Sequence, residues 1–173
     1  MSEALQALYE GDDERGRALL PPDEDVSVFE AAAFGRNERL RAILGDDPSQ
    51  ATAFSDDGFT ALHLAAFGRQ EEAARLLLEA GADPNALATS EFARVPPLGT
   101  AAFVRSVPLA RLLLDSGAAV DGRAEGGFTA LHSAAQTGDE ELARLLLERG
   151  ADPTLATDDG RRPADLGLHE LLA

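Results

Sequence analysis

One stretch of this 173-residue sequence decides its fold: residues 57–85, which read DGFTALHLAAFGRQEEAARLLLEAGADPN. The stretch recurs at residues 126–153 as GGFTALHSAAQTGDEELARLLLERGADP, with its turn glycines, Gly58 and Gly127, 69 positions apart. A third, weaker copy lies between the two and divides that distance into 36 and 33 positions. A period near 33 residues predicts a stacked array of repeats.

Each copy carries its own signals for beginning and ending two helices. Gly58 and Gly127 supply the backbone freedom that a tight turn needs, and Thr60 and Thr129 can cap the helix that follows. Apolar residues then recur at helical spacing through two segments, and a glycine such as Gly81 ends the second one. Helices this short are marginal alone, so the copies are expected to stack and join their apolar faces into one core.

The copies share, in one register, the pattern Thr-Ala-Leu-His, Ala-Ala, Leu-Leu-Leu and Gly-Ala-Asp. Through this pattern the chain resembles the ankyrin-repeat family over nearly its whole length. The family's Thr-Pro-Leu-His reads Thr60-Ala61-Leu62-His63 and Thr129-Ala130-Leu131-His132 here, whereas the weaker copy has Pro96-Pro97-Leu98-Gly99. The resemblance implies an all-α solenoid of stacked helix–turn–helix units.

The glycine that this family places between its two helices varies along the chain. It is present at Gly138, but the other copies have Arg36, Arg69 and Arg105 at that position. We therefore expect the turn between the helices to differ among the repeats.

A single domain is expected over residues 1–173, with an N-terminal cap at 1–25, repeats at 26–58, 59–94, 95–127 and 128–160, and a closing half-repeat at 161–173. Helices are predicted near 3–10, 13–20, 27–34, 37–44, 60–67, 70–79, 97–104, 107–115, 129–136 and 139–148, with a short pair after 162. The tail of the second repeat, 86–94, is three residues longer than its counterparts. Such an insertion forms either a working loop or neutral slack.

The composition excludes several classes of partner and site. The net charge is −16, with 31 acidic residues against 15 arginines and no lysine, so nucleic acid and anionic membranes are repelled and a basic protein is favoured as partner. The charge could equally serve solubility alone.

The absence of cysteine excludes disulfides and cysteine-ligated zinc. No secretory signal or apolar run of about 20 residues is visible, so a cytoplasmic location is expected. The Ala- and Arg-rich usage is typical of a GC-rich bacterial genome.

No constellation of catalytic residues stands out. His63 and His132 occupy equivalent repeat positions, where the resemblance implies hydrogen bonds that tie the turn to the first helix. Nucleophile motifs and phosphate-binding loops are absent, and pairs of aspartates such as Asp158 and Asp159 fall at turns, where Asp bonds nearby backbone. We expect a protein that is not an enzyme, with no cofactor and no metal. The alternative, an enzyme or a repeat protein that binds a small ligand, requires a pocket of polar groups with shifted pKa values.

The favoured function is a monomeric protein-interaction module that uses its concave face and turn tips, as a scaffold or as an inhibitor. Aromatic residues recur at two repeat positions that the family does not need for its framework, and two aspartates lie beside them at a turn. The candidate partner-binding residues are Phe34, Phe59, Phe67, Phe103, Phe128, Asp56 and Asp57. An exposed aromatic stripe marks an interaction surface; the alternative is that each ring packs into the core.

The core prediction names leucines from four of the repeat helices, on the faces that should meet the neighbouring copy. The side chains predicted to be buried are Leu62, Leu76, Leu77, Leu131, Leu145 and Leu146.

Overall fold

The computed structural model describes residues 1–91 and 93–172, and over these residues the protein is helical, with no strand beyond an isolated bridge between Phe54 and Thr60. The described helices are α1 Glu3–Tyr9, α2 Asp13–Ala18, α3 Val28–Phe34, α4 Asn37–Asp46, α5 Ala61–Phe67, α6 Glu71–Glu79, α7 Pro97–Phe103, α8 Val107–Asp115, α9 Ala130–Thr137, α10 Glu140–Glu148, α11 Pro163–Leu166 and α12 His169–Leu172. Each predicted helix is present, with bounds that differ by at most two residues.

Three short 3-10 helices were not predicted: Asp23–Asp25, Pro48–Thr52 and Glu125–Gly127. Segments of three to five residues contain too few positions to show a hydrophobic period. They connect the repeats, and the regular helices carry the core.

The chain divides into two compact units, which are described separately. The first comprises Met1–Asp83 and Thr89–Glu91, and the second comprises Pro84–Ala88 and the described residues after 92. The first unit therefore contains α1 to α6, and the second contains α7 to α12.

In the first unit, helix α1 packs its apolar face, including Leu5 and Leu8, against α3 and α5. Gly16 lets α2 approach equally closely, because a Cβ atom at Gly16 would lie 2.7 Å from the ring of Phe34. The Phe34 ring is consequently only 1% exposed. This burial corrects the assignment of Phe34 to a partner-binding stripe, since a ring inside the core cannot touch a partner.

Five of the six leucines predicted to be buried lie in the core: Leu62, Leu77, Leu131, Leu145 and Leu146. The exception is Leu76, which is half-buried. Successive residues of an α-helix are rotated by about 100°. Because Leu77 points directly inward, its neighbour Leu76 lies at the flank of the buried face.

The turn glycines do more than bend the chain. Gly58 and Gly127 have φ values of 85° and 77°, as a tight turn requires. The Gly58 carbonyl also accepts a hydrogen bond of 2.9 Å from the Thr89 amide, and a Cβ at Gly58 would lie 2.5 Å from the Ser90 nitrogen. The absence of a side chain therefore allows the backbones of successive turns to meet.

The turn between the two helices of a repeat differs among the copies, as expected. The left-handed residue is Arg69, Arg105 or Gly138 in the later repeats, with φ between 56° and 67°. In the first repeat it lies one position earlier, at Gly35, with φ 67°. An arginine in this conformation costs roughly 1–2 kcal/mol relative to the right-handed one, so the surrounding helices must impose it.

Candidate functional site

The two repeat histidines are buried parts of the framework. His63 and His132 are 1% and 0% exposed. In each repeat the amide of the capping threonine, Thr60 or Thr129, donates to histidine Nδ1, over 3.3 and 3.2 Å. Because Nδ1 of His132 accepts this hydrogen bond, the ring hydrogen of the neutral imidazole lies on Nε2, which donates to the carbonyl of Arg161 over 3.1 Å. His132 thus joins its own turn to the following one.

Burial holds the pKa of His132 below its ordinary value. The positive charge of Arg123 acts in the same direction, whereas the hydrogen bond to the Arg161 carbonyl opposes it. Protonation would place a hydrogen on Nδ1, where the Thr129 amide already donates. The neutral ring is therefore the form that fits the fold.

The stability of the protein should depend on the protonation of His132. Its pKa is lower in the folded than in the unfolded chain, so its contribution is fully present above the unfolded value of about 6.5 and is lost as the pH falls toward the folded value. One proton limits the slope to about 1.4 kcal/mol per pH unit. Urea unfolding between neutral pH and about pH 5 measures the effect.

A His132→Gln variant provides the control for this prediction. Glutamine at this position can bond the capping amide as in a capping box, but it does not titrate. The variant should lose part of the pH dependence between about pH 6.5 and 5. An unchanged slope in the variant would assign the pH dependence to other groups.

The paired aspartates of the turn tips divide into two roles. Asp57 accepts a hydrogen bond from the Ser55 hydroxyl, two residues before it. The preceding aspartate, Asp56, points outward, with 96% of its side chain exposed. Of the two predicted rim residues, Asp56 is the one that presents its carboxylate to solvent, with the Met1 ammonium 3.7 Å away.

The closing turn repeats this arrangement. Asp159 accepts from the Thr157 hydroxyl and from the guanidinium of Arg161 over 2.8 Å. The pKa of Asp159 is lowered to about 2, and the hydrogen bond from the Arg161 side chain is the main cause. Asp158 is the outward member, with 72% of its side chain exposed. A hydroxyl residue two positions before an aspartate is the sequence signal for the inward role.

In the first unit the predicted anchors Phe59 and Phe67 are half-buried beneath a residue that the sequence analysis missed. The ring of Tyr9 lies 6.1 Å from that of Phe59 and meets Phe67 edge-on at 5.3 Å. The Tyr9 hydroxyl donates to Asp57 over 2.9 Å. Burial, followed by the charge of Asp57, raises the pKa of Tyr9 well above its ordinary value. The structure thus brings Phe59, Phe67 and Asp57 together around Tyr9.

A second residue missed from the sequence is Phe54. It lies just before the turn tip, forms the bridge with Thr60, and is 46% exposed. Phe54 has no aromatic counterpart at the same position of the other repeats, so the repeat pattern did not single it out. Its position next to a bend was the available signal.

In the second unit the predicted anchors have different environments. Phe103, the last residue of α7, is 70% exposed. Phe128 is half-buried, with the guanidinium of Arg161 5.6 Å from its ring centre and the ring of His132 at 5.5 Å. Phe103 is therefore the predicted anchor that presents most of its surface to solvent.

The described residues lack both a cluster of metal-ligating side chains and a helix that could span a membrane. They contain no group of three His, Asp or Glu side chains placed to hold a metal ion. None of the described helices is long and apolar enough to cross a membrane.

Two shallow grooves lie among the described residues of the second unit. The larger, of about 440 Å³, lies between α10 and α12 and is lined by Glu140, Arg144 and residues 168–171. The smaller, of about 340 Å³, lies at the turn tips; the residues that line it are Leu87, Arg94, Arg123, Glu125, Asp158 and the small residues between 124 and 127.

Comparison with known families matches the repeats directly. A family model of ankyrin repeats in three copies matches residues 90–157, and a single ankyrin-repeat model matches residues 57–88. The chain belongs to the ankyrin-repeat family. This membership confirms the predicted all-α solenoid class. Ankyrin repeats are protein–protein interaction modules, so the predicted class of protein-interaction module is confirmed as well. The family is generally non-enzymatic.

Similar proteins include larger ankyrin-repeat proteins of mammals. The chain is 43% identical to ankyrin repeat and SOCS box protein 3 of Bos taurus over 154 residues, which is 86% of this chain and 29% of that protein. It is 30% identical to the mitochondrial disaggregase of Bos taurus over 147 residues, 84% of this chain and 21% of that protein. The chain thus spans less than a third of the length of these relatives.

Proposed function

We propose that this ankyrin-repeat chain binds a basic partner protein through exposed aromatic rings and turn-tip carboxylates. The exposure of Phe103 carries the proposal, because a phenylalanine that is 70% exposed presents most of its surface to solvent and is of the type that anchors interfaces. The net charge of −16 favours a partner of opposite charge.

The proposed binding residues differ in how much surface they offer. In the first unit Phe54 and Asp56 are exposed, whereas Phe59 and Phe67 contribute the edges left open by Tyr9. In the second unit Phe103 is the main anchor, and Phe128 adds the part of its ring left open by Arg161. Asp57 supports this surface by holding Ser55 and Tyr9 in place.

In this proposal, residues 1–173 form one domain. It acts as a cytoplasmic monomer and has no catalytic activity of its own. The roles of the two repeat histidines support the last point, since Nδ1 of each accepts from a backbone amide. Binding would serve as scaffolding or as inhibition. Affinity capture from the source cell separates these: one stoichiometric enzyme indicates inhibition, and several proteins indicate scaffolding.

Truncating Phe103 should weaken the captured partner's binding by about tenfold or more while leaving stability nearly unchanged. A hot-spot aromatic contributes at least about 2 kcal/mol to an interface, but an exposed ring contributes little to folding. Calorimetric titration of Phe103→Ala against the wild-type protein measures the first effect, and urea unfolding measures the second. Leu19→Ala, which truncates another exposed apolar residue at 37% exposure, is the control. Equal affinities of the partner for the Phe103 variant and for the wild type would show that Phe103 does not belong to the partner-binding surface.

The corresponding change at Phe67 has a different expected outcome. Because Phe67 packs edge-on against Tyr9, Phe67→Ala should lower stability as well as binding. A loss of binding in this variant is therefore informative only after its folding has been measured.

If the turn-tip carboxylates attract a basic partner, its association rate should fall steeply with salt. Asp56→Asn and Asp158→Asn are the appropriate changes, because both side chains are largely exposed. Asp57 and Asp159 are unsuitable because each holds a turn together. Stopped-flow association over a range of salt concentrations tests the prediction. A rate that does not respond to salt would leave the charge as a device for solubility.

A further inference from the structure

The smaller groove of the second unit, which shares Asp158 with the turn-tip carboxylates of the proposed function, contains the elements of a peptide-recognition site. Its volume of about 340 Å³ suits a few side chains of an extended peptide and is too small for a helix. On one side lie Leu87 and Arg94, which belong to the longer tail of the second repeat, and on the other side lies the turn that includes Glu125. The Glu125 amide donates to the Arg94 carbonyl over 2.8 Å, which fixes the two walls to each other.

Gly126 lines the groove and leaves space there, because it has no side chain. Gly126 has a φ of 72°, a conformation that favours glycine. A Cβ atom there would meet only the edge of the Phe128 ring, at 3.8 Å. The Gly126 carbonyl accepts a hydrogen bond of 2.8 Å from the Asp158 amide, so a ligand can approach this residue only on the side where a Cβ would lie.

Two of the four charged side chains that line the groove pair with each other. The Arg123 guanidinium lies 3.5 Å from the Asp158 carboxylate and donates to the Ala156 carbonyl over 2.9 Å. Arg94 and Glu125 line the same groove, yet neither side chain forms an ion pair with any residue in the described part of the chain. Leu87, 39% exposed, adds an apolar surface beside them.

We propose that this groove binds a short extended segment of a partner protein that carries one acidic, one basic and one aliphatic side chain. The acidic side chain pairs with Arg94, the basic one with Glu125, and the aliphatic one packs on Leu87. The inference rests on the proposed function in one respect only, that the partner is a protein. It assigns a use to Leu87 and Arg94, two residues of the longer tail of the second repeat.

The test uses dye-labelled heptapeptides that place Leu, Glu and Arg, in every order, at alternate positions, so that the three side chains lie on one face of the extended chain. Fluorescence anisotropy with the full chain should show saturable binding for at least one order. Arg94→Glu should weaken that binding by about tenfold or more, as loss of an ion pair followed by repulsion predicts. A peptide with its Glu replaced by Arg should regain affinity for this variant.

Matched controls separate the groove from the general charge of the molecule. Arg111→Glu makes the same change on the exposed face of α8 and should leave peptide affinity unaltered. The proposal is overturned if no order binds below about 1 mM, if both charge reversals have equal effects, or if the swapped peptide fails to restore binding. Phe103→Ala should not affect the peptide. If the peptides fail these tests while Phe103→Ala still weakens binding of the partner, the groove is rejected as a peptide site and the proposed function is retained.

Discussion

Replacing Leu77 with alanine is expected to lower the free energy of unfolding by about 2–5 kcal/mol. Leu77 lies in α6 and is 0% exposed. The substitution removes buried methyl groups from a close-packed interior and leaves a cavity that the surrounding helices fill only in part. Urea denaturation followed by circular dichroism measures the change.

Leu76→Ala is the matched control, because it removes the same atoms from the same helix. Because the side chain of Leu76 is half-buried, its truncation loses less transfer free energy and leaves a smaller cavity. The loss should be clearly smaller than for Leu77→Ala. Equal losses, or a loss below about 1 kcal/mol at Leu77, would contradict the orientation of α6.

Gly68→Ala should also destabilise the protein strongly, by about 1–3 kcal/mol or more. Gly68 follows α5 with φ −74° and ψ 0°, a conformation that alanine adopts without strain. The obstacle is space, because the new Cβ would lie 1.9 Å from the carbonyl oxygen of Ala33 in α3. The added methyl group would force α5 away from α3, and both atoms in the clash are held by backbone.

The same change at Gly45 should have the opposite sign. Gly45 lies inside α4, and no atom comes within 4 Å of a Cβ built there. Alanine at a helical site stabilises by about 0.5–1 kcal/mol, because it loses less backbone freedom on folding. Thermal and urea unfolding of the two variants side by side test the pair. A gain at Gly68, or a loss at Gly45, would contradict the packing described for that position.

The positions of the helices could be predicted because their signals are local and repeated. A capping residue such as Thr60 and a stop such as Gly81 act within one turn of the chain, whatever lies around them. The inward roles of Asp57 and Asp159 also have a local signal, the hydroxyl group two residues earlier, but the sequence analysis assigned Asp57 to the partner-binding rim. The close approach at Gly68 was not, because the Ala33 carbonyl is distant in sequence.

The candidate site was predictable only in part, for the same reason. The phenylalanines were identified from their repeat positions, but Tyr9, which covers Phe59 and Phe67, lies about 50 residues earlier and has no repeat counterpart. The exposed Phe54 falls outside the repeat pattern altogether. Side chains that meet across the fold leave no periodic signal in the sequence.

By itself the sequence determined that this is a repeat protein of helix pairs, because each copy contains its own caps, turns and apolar faces. The tertiary structure alone decided what a repeat position is used for. Phe34 and Phe103 occupy the same position at the end of a first helix, yet they are 1% and 70% exposed. Phe34 is buried because α2 carries Gly16, whose lack of a side chain lets that helix close over the ring. Burial depends on which neighbour covers a side chain, and the residue's own position in the repeat does not encode that neighbour.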